Sequence, residues 1–138
     1  MRELVTPDLY GPVPIARVGG DIDLANAARL RQELLALATD EAYGLVVDLT
    51  DVSYADSAGI KVLFDLARDL RRRDQSLAVT VPVGSPIRRL LKITNFQEVA
   101  PICDDAQTAV QLIAKGPSEH RAGAPGLTRS GGRPIADD

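Results

Sequence analysis

Ser57 stands where an apolar run, Gly44-Leu45-Val46-Val47-Asp48-Leu49-Thr50, gives way through Asp51-Val52-Ser53-Tyr54-Ala55-Asp56 to a long amphipathic helical pattern. A hydroxyl at a helix N-terminus faces backbone N–H groups that lack intrahelical partners and the positive end of the helix dipole. That environment suits a phosphate, and so a phosphorylation switch. Hydrolytic chemistry is a poorer match. The local run Ala55-Asp56-Ser57-Ala58-Gly59 lacks the glycine two residues before the serine that a nucleophile elbow uses, and the sole histidine is His120. A serine nucleophile needs its base held within hydrogen-bond reach. Asp21, Asp23, Asp48, Asp51 and Asp56 offer oxygen ligands for a divalent cation or a phosphoryl acceptor, but Asp23 and Asp51 serve equally as turn formers. No glycine-rich loop is present to cradle a nucleotide.

A recognition surface makes fuller use of these residues. The small side chains of Ala58 and Gly59 would let a partner approach the start of the helix, and Tyr54 would add an amphipathic contact at the rim. A phosphate on Ser57 would bring about −1.5 to −2 charges to the neighbourhood of Asp56 and Asp23. Charge placed in a mismatched interface weakens binding, tenfold for every ~1.4 kcal/mol. From the residues alone, this switch and a plain helix-capping role for Ser57 are equally supported.

The elements that must position Ser57 alternate between strands and helices. Val13 to Val18 is predicted as a strand, with Pro14 near its start as on an edge strand; residues 2 to 6 would pair with it across a turn at Asp8 to Pro12. Gly19 to Ala25 leads to a helix with Asn26 as its N-cap and Ala27, Leu30, Leu34, Leu37 and Ala38 on one face. The Ser57 helix runs to about Arg73, with Ile60, Leu63, Phe64, Ala67 and Leu70 as its core stripe and Arg71 to Arg73 at the negative end of its dipole. Leu77 to Val81 is the next strand, and Ser85-Pro86 opens a short helix ending near Asn95. Val99 to Ile102 reads as a last strand, and Asp104-Asp105-Ala106-Gln107 as a capping box for a helix that ends at about Lys115. Such alternation indicates an α/β layer with parallel pairing, in which binding sites collect beyond the strand C-termini; Asp48, Tyr54, Asp56 and Ser57 would lie toward that end.

The 138 residues suit one domain, residues 1 to 115, followed by a Gly/Pro-rich tail over 116 to 138 that reads as disordered. Apolar residues at 45% and charged residues at 25% are ordinary for a soluble globular protein. A formal net charge of −3 offers no basis for holding nucleic acid. No apolar stretch approaches the ~20 residues needed to span a bilayer, and the N-terminus lacks a signal-peptide layout. The expected location is therefore cytoplasmic. Cys103, the one cysteine, reads as a buried small hydrophobe, and neither a metal nor a cofactor is expected.

Three motifs in order carry a family resemblance. The run from Asp48 to Gly59 resembles the signature of STAS domains, specifically the anti-sigma factor antagonists. Gly20-Asp21-Ile22-Asp23 resembles the element before the family's first helix, and Val83 to Leu91 resembles the loop and short helix after its fourth strand. The resemblance spans roughly residues 3 to 115. It implies a single STAS-like α/β domain, a mixed sheet of four to five strands with helices mainly on one face, and no catalysis by the domain itself. It implies further that Ser57 is phosphorylated by an anti-sigma factor that is also a serine kinase, with Asp23 close to the phosphoserine. The unphosphorylated protein would bind that kinase and free a sigma factor, and a PP2C-type phosphatase would reset the switch. The partner-binding set would be Asp23, Asn26, Tyr54, Asp56, Ser57, Ala58 and Gly59. Ala58 departs from the serine or threonine that many members carry there. The alternative within the family is a scaffold or sensor module without a phosphorylation switch.

Overall fold

The computed structural model describes residues 4–115, which form one mixed five-stranded sheet in the order β1-β2-β3-β4-β5. β1 (Val5–Tyr10) pairs antiparallel with β2 (Val13–Ile22). β3 (Gly44–Ala55), β4 (Ser76–Thr80) and β5 (Ile102–Cys103) follow in parallel. The helices are α1 (Ala27–Leu37), α2 (Ser57–Arg72), α3 (Pro86–Ile93) and α4 (Ala106–Ala114), with a 3-10 turn at Phe96–Glu98. The expected α/β architecture, with a mixed sheet and helices mainly on one face, is the one observed.

Alternation along the central strands explains the layering. Leu45, Val47 and Leu49 of β3, with Leu77 and Val79 of β4, turn toward α1, α2 and α3. Val46 and Ala78 turn the other way, where they meet Ala109, Val110 and Ile113 of α4. A strand covered on both faces reads as a continuous apolar run, as β3 does. The expected stripe on α2 is present, and Val62 and Leu66 are buried beside it because α2 packs against α1 as well as the sheet. Phe64 meets Phe96 edge to face at 5.1 Å between ring centroids, an arrangement worth about 0.5–1.5 kcal/mol beyond its buried area.

Four local expectations are corrected. β1 continues through Tyr10, so the turn is only Gly11-Pro12, with Gly11 at φ +60°. Pro7 fits within β1 because that strand is a sheet edge. Pro14 lies in an interior strand but one residue before β2 begins to pair with β3 at Ile15, so the missing N–H is not needed on that side. The last strand sits later than Val99 to Ile102, since Phe96–Glu98 takes up a 3-10 turn first. Finally, α4 is capped by Asp105, whose carboxylate accepts from Thr108 N at 2.8 Å; Gln107 is therefore one position early for a reciprocal bond. The tail beginning at Gly116, and His120 within it, lie outside the described residues.

Candidate functional site

β2 and β3 end side by side, Asp21 opposite Tyr54 and Ile22 opposite Ala55, and the chain then leaves each strand for a helix. The two exits are tied together. Asp56 N donates to Ile22 O at 3.2 Å, and the Asp56 carboxylate accepts from Leu24 N at 3.1 Å and from Gly59 N at 3.0 Å. Asp56, rather than Ser57, is thus the N-cap of α2. These backbone donors, Gly59 N first, hold the Asp56 carboxyl below the usual carboxylate range. Asp56 stays ionised and fixes the β2–α1 loop against the first turn of α2.

Ser57 is freed by that arrangement. As the first helical residue it is exposed, and its hydroxyl makes no hydrogen bond among the described residues. Ala58 beside it is half-buried. Gly59, expected to open the surface to a partner, instead turns inward: a Cβ there would lie 2.8 Å from Ile22 Cγ1 and closer to the Ile22 carbonyl oxygen. Its smallness lets α2 start hard against the end of β2. Tyr54 is 54% exposed.

The β2–α1 loop is built from its own polar side chains. Asp23 Oδ1 accepts from Ala25 N at 3.0 Å, an Asx turn. Asn26 does not cap α1 with its side chain; it accepts from Asp23 N at 3.0 Å and donates to Asp21 O at 2.9 Å. Asn26 thereby fixes the loop that presents Leu24, which is 79% exposed. Leu24 escaped sequence reasoning, although an isolated large apolar residue in the polar run Asp23-Leu24-Ala25-Asn26 is the signal that would have found it.

Asp48 does not join this site. β3 extends to Ala55, which leaves Asp48 in mid-strand on the α4 face, accepting from Arg17 at 2.9 Å and from Thr50 Oγ1 at 2.6 Å. Among the described residues no group of three or more His, Cys, Asp or Glu is arranged to hold a metal ion, and no helix is long and apolar enough to cross a membrane.

On the same edge of the molecule, Ser53, Tyr54 and Ala55 share a hollow of about 240 Å³ with Pro86, Ile87, Arg89, Leu90 and Ile93 of α3. Leu24, Tyr54 and Ser57 are all exposed near the ends of β2 and β3, and Tyr54 borders the hollow beside α3.

A mixed sheet whose third strand delivers an exposed serine at the start of a helix, near the exposed side chains of Leu24 and Tyr54, defines the class of fold as a small α/β module. The STAS-domain family model matches residues 6–109, and the chain belongs to that family. An anti-sigma-B factor antagonist of Listeria monocytogenes is 34% identical over 85 residues, covering 62% of this chain and 74% of that protein. The crystal structure of an anti-sigma factor antagonist from Mycobacterium paratuberculosis superposes with a TM-score of 0.71 at 24% identity, over 80% of this chain and 92% of the other. SpoIIAA shares the fold in its unphosphorylated form, with a TM-score of 0.60 at 16% identity over 81% and 98% of the two chains. The phosphorylated form of the Bacillus protein gives 0.58 at 13% identity over 78% and 98%.

Proposed function

We propose that this protein is a cytoplasmic anti-sigma factor antagonist switched at Ser57. Unphosphorylated, it binds an anti-sigma factor that is also a serine kinase and so frees a sigma factor for transcription. Phosphorylation of Ser57 releases it, and a PP2C-type phosphatase restores the binding form. The reading takes residues 1 to 115 as the working domain and gives it no catalysis of its own; the protein is substrate and binder.

The observation that carries the proposal is the division of labour between Asp56 and Ser57. Asp56 performs the capping, which leaves the Ser57 hydroxyl exposed at the positive end of α2, with no hydrogen bond among the described residues. In the transfer, Ser57 Oγ forms a bond to the γ-phosphorus of ATP, the bond from that phosphorus to the bridging oxygen breaks, and ADP leaves while the hydroxyl proton passes to a base on the kinase. The added ≈ −1.5 to −2 charges then sit next to the ionised Asp56, with Asp23 in the adjoining loop. A partner docked over the first turn of α2 would have to bury that charge unpaired, which favours dissociation. The family membership, the name of the Listeria relative and the two phosphorylation states of SpoIIAA support this reading.

Incubation of the purified chain with its cognate kinase and ATP, followed by mapping of the phosphorylated residue, is the direct test. Label on Ser57 is expected; its absence there removes the switch. Titration calorimetry adds a second reading, in which Ser57→Ala retains kinase affinity and Ser57→Asp loses about tenfold or more. Equal affinities for the two variants contradict the mechanism.

A further inference from the structure

The outer side of α3 carries features that the packing of the domain does not use. Ile87 and Leu91 point into the core, whereas Pro86, Arg89, Lys92 and Ile93 face outward. Ile93 is 68% exposed and Val83, just before the helix, 75%. Two hollows lie along this ridge and share Pro86, Arg89 and Ile93: the one of about 240 Å³ reaching Tyr54, and an open one of about 710 Å³ bounded also by Val83, Gly84, Ser85, Arg88 and Lys92. Apolar side chains left together at a surface mark an interaction site more often than singly scattered ones do.

Charge lies beside these apolar side chains, as it does at the ends of α2 and α4, where Arg71, Arg73 and Lys115 stand. Arg17, Arg29, Arg31, Lys61, Arg68, Arg72 and Arg88 all have carboxylate partners within 4.0 Å. Neither Arg89 nor Lys92 has an ion pair among the described residues. The neighbouring Arg88 is held to Asp104 at 2.7 Å and to Val81 O at 2.8 Å, so it is not part of the outward charge. A chain of net charge −3 therefore presents two unneutralised cations flanking exposed Ile93, Val83 and Tyr54.

Resting on the function proposed above, we infer that the outer face of α3 together with Tyr54 is a second docking lobe, and that its occupant is an acidic segment of the anti-sigma kinase bearing an apolar anchor. Tyr54 joins the two lobes. It lines the α3 hollow and stands three residues before Ser57, so one partner can reach both the phosphorylation site and α3. Carboxylates of the occupant pair with Arg89 and Lys92, and its apolar side chain enters beside Ile93. Because this lobe keeps its charge when Ser57 is modified, it gives the kinase a hold on its substrate that the phosphate does not itself oppose.

The test compares the full chain with Arg89→Glu/Lys92→Glu and with Ile93→Ser, using the purified kinase that labels Ser57. A control, Arg71→Glu/Lys115→Glu, makes the same change in net charge at exposed positions where α2 and α4 end, away from Ser57. Circular dichroism and thermal melting establish that each variant is folded. The α3 charge reversal is expected to weaken binding about tenfold or more and to remove the fall of affinity with added salt seen in the parent, with the control unchanged. KM for Ser57 phosphorylation rises accordingly while kcat at saturating substrate holds. Ile93→Ser is expected to weaken binding severalfold with its salt dependence intact. Wild-type affinity in both folded α3 variants, with Ser57 still labelled in the parent, overturns the second lobe and leaves the switch standing. Failure of the parent chain to bind or be labelled removes both. If charge reversal instead converts a dimer to a monomer in sedimentation, or abolishes binding to phosphatidylserine vesicles, at unchanged kinase affinity, the occupant is another copy or a lipid surface and the inference is wrong.

Discussion

Replacing Gly59 by alanine separates two effects that usually act together. On helix propensity alone the change should stabilise α2 by up to about 1 kcal/mol. The structure requires the opposite. An alanine Cβ would lie 2.8 Å from Ile22 Cγ1 and 2.9 Å from the Ile22 carbonyl carbon, against ordinary carbon contacts of about 3.5–4.0 Å. Ile22 cannot move aside, since it is fully buried, pairs with Ala55 and accepts the Asp56 N–H. The first turn of α2 must therefore retreat, and because the clash is mainly with backbone, which cannot rotate aside, the cost is about 2–3 kcal/mol, the upper part of the overpacking range. The net expectation is a loss of roughly 1–2 kcal/mol, or a fall in Tm of about 5 °C for a domain of this size. Urea unfolding with an unchanged m-value measures it. The same retreat draws Asp56 away from Leu24 N, so under the proposed function affinity for the anti-sigma kinase is expected to fall in parallel. Ala58→Gly, at a half-buried position, is the control and should follow propensity alone, costing at most about 1 kcal/mol. A Gly59→Ala protein as stable as the parent, or more so, would show that β2 and α2 do not meet tightly and would refute the reasoning.

Two further substitutions examine the electrostatics. Asp56→Asn leaves an oxygen able to cap Gly59 N but turns an NH₂ donor toward Leu24 N, so the loop should come loose while α2 stays capped. Amide exchange is expected to quicken at Leu24 and not at Gly59; an unchanged Leu24 rate counts against the tether. Asp69 joins α2 to α1 through Arg31 at 2.6 Å, and that hydrogen bond, before the charges of Arg31, Arg68 and Arg72, holds its carboxyl below the usual range. A depressed folded-state value means stability that is present above the ordinary carboxylate pKa of ~4 and lost as pH falls through the folded value. Asp69→Asn should therefore be less stable than the parent at pH 7, by about 0.5–1 kcal/mol since Arg31 is 41% exposed. The gap should close on acidification, and urea titrations in which it persists at the lowest pH would contradict the assignment.

The positions of the major elements were legible because they follow from periodicity. The α2 stripe and the unbroken run of β3 locate themselves, and Ser85-Pro86 starts α3 as read, with Ser85 accepting from Ile87 N at 3.1 Å. Errors fell where two residues compete for one role and tertiary contact decides. Asp56 and Ser57 are adjacent and both can cap a helix. Asp56 takes the role because its other oxygen reaches Leu24 N, 32 residues away in sequence, which no local pattern reveals. Asn26 holds the N-cap position of α1 as read, but spends its side chain on two bonds inside its own loop instead of on the helix. The inward turn of Gly59 was hidden for the same reason, since glycine in a first turn reads as surface until the strand beneath it is placed.

This competition bears on how the proposed switch would act. Both oxygens of Asp56 are occupied by backbone N–H groups, one from α2 and one from the loop that presents Leu24. A phosphate on Ser57 is a stronger acceptor at the next residue, in the field of the same helix terminus. It can draw on those donors only at the expense of Asp56, and the two anions repel. The core beneath contributes nothing to that contest: Ile22, Leu63 and Leu66 are fully buried, and their packing does not depend on which anion the first turn satisfies. Modification should therefore be felt as charge at Ser57 and as altered restraint on the Leu24 loop, with the sheet and α2 unmoved. Amide exchange of the phosphorylated chain that changes at Leu24 while β3 and the centre of α2 keep their protection is the pattern this requires. Loss of protection across the core would place the switch in global stability instead of at the docking edge.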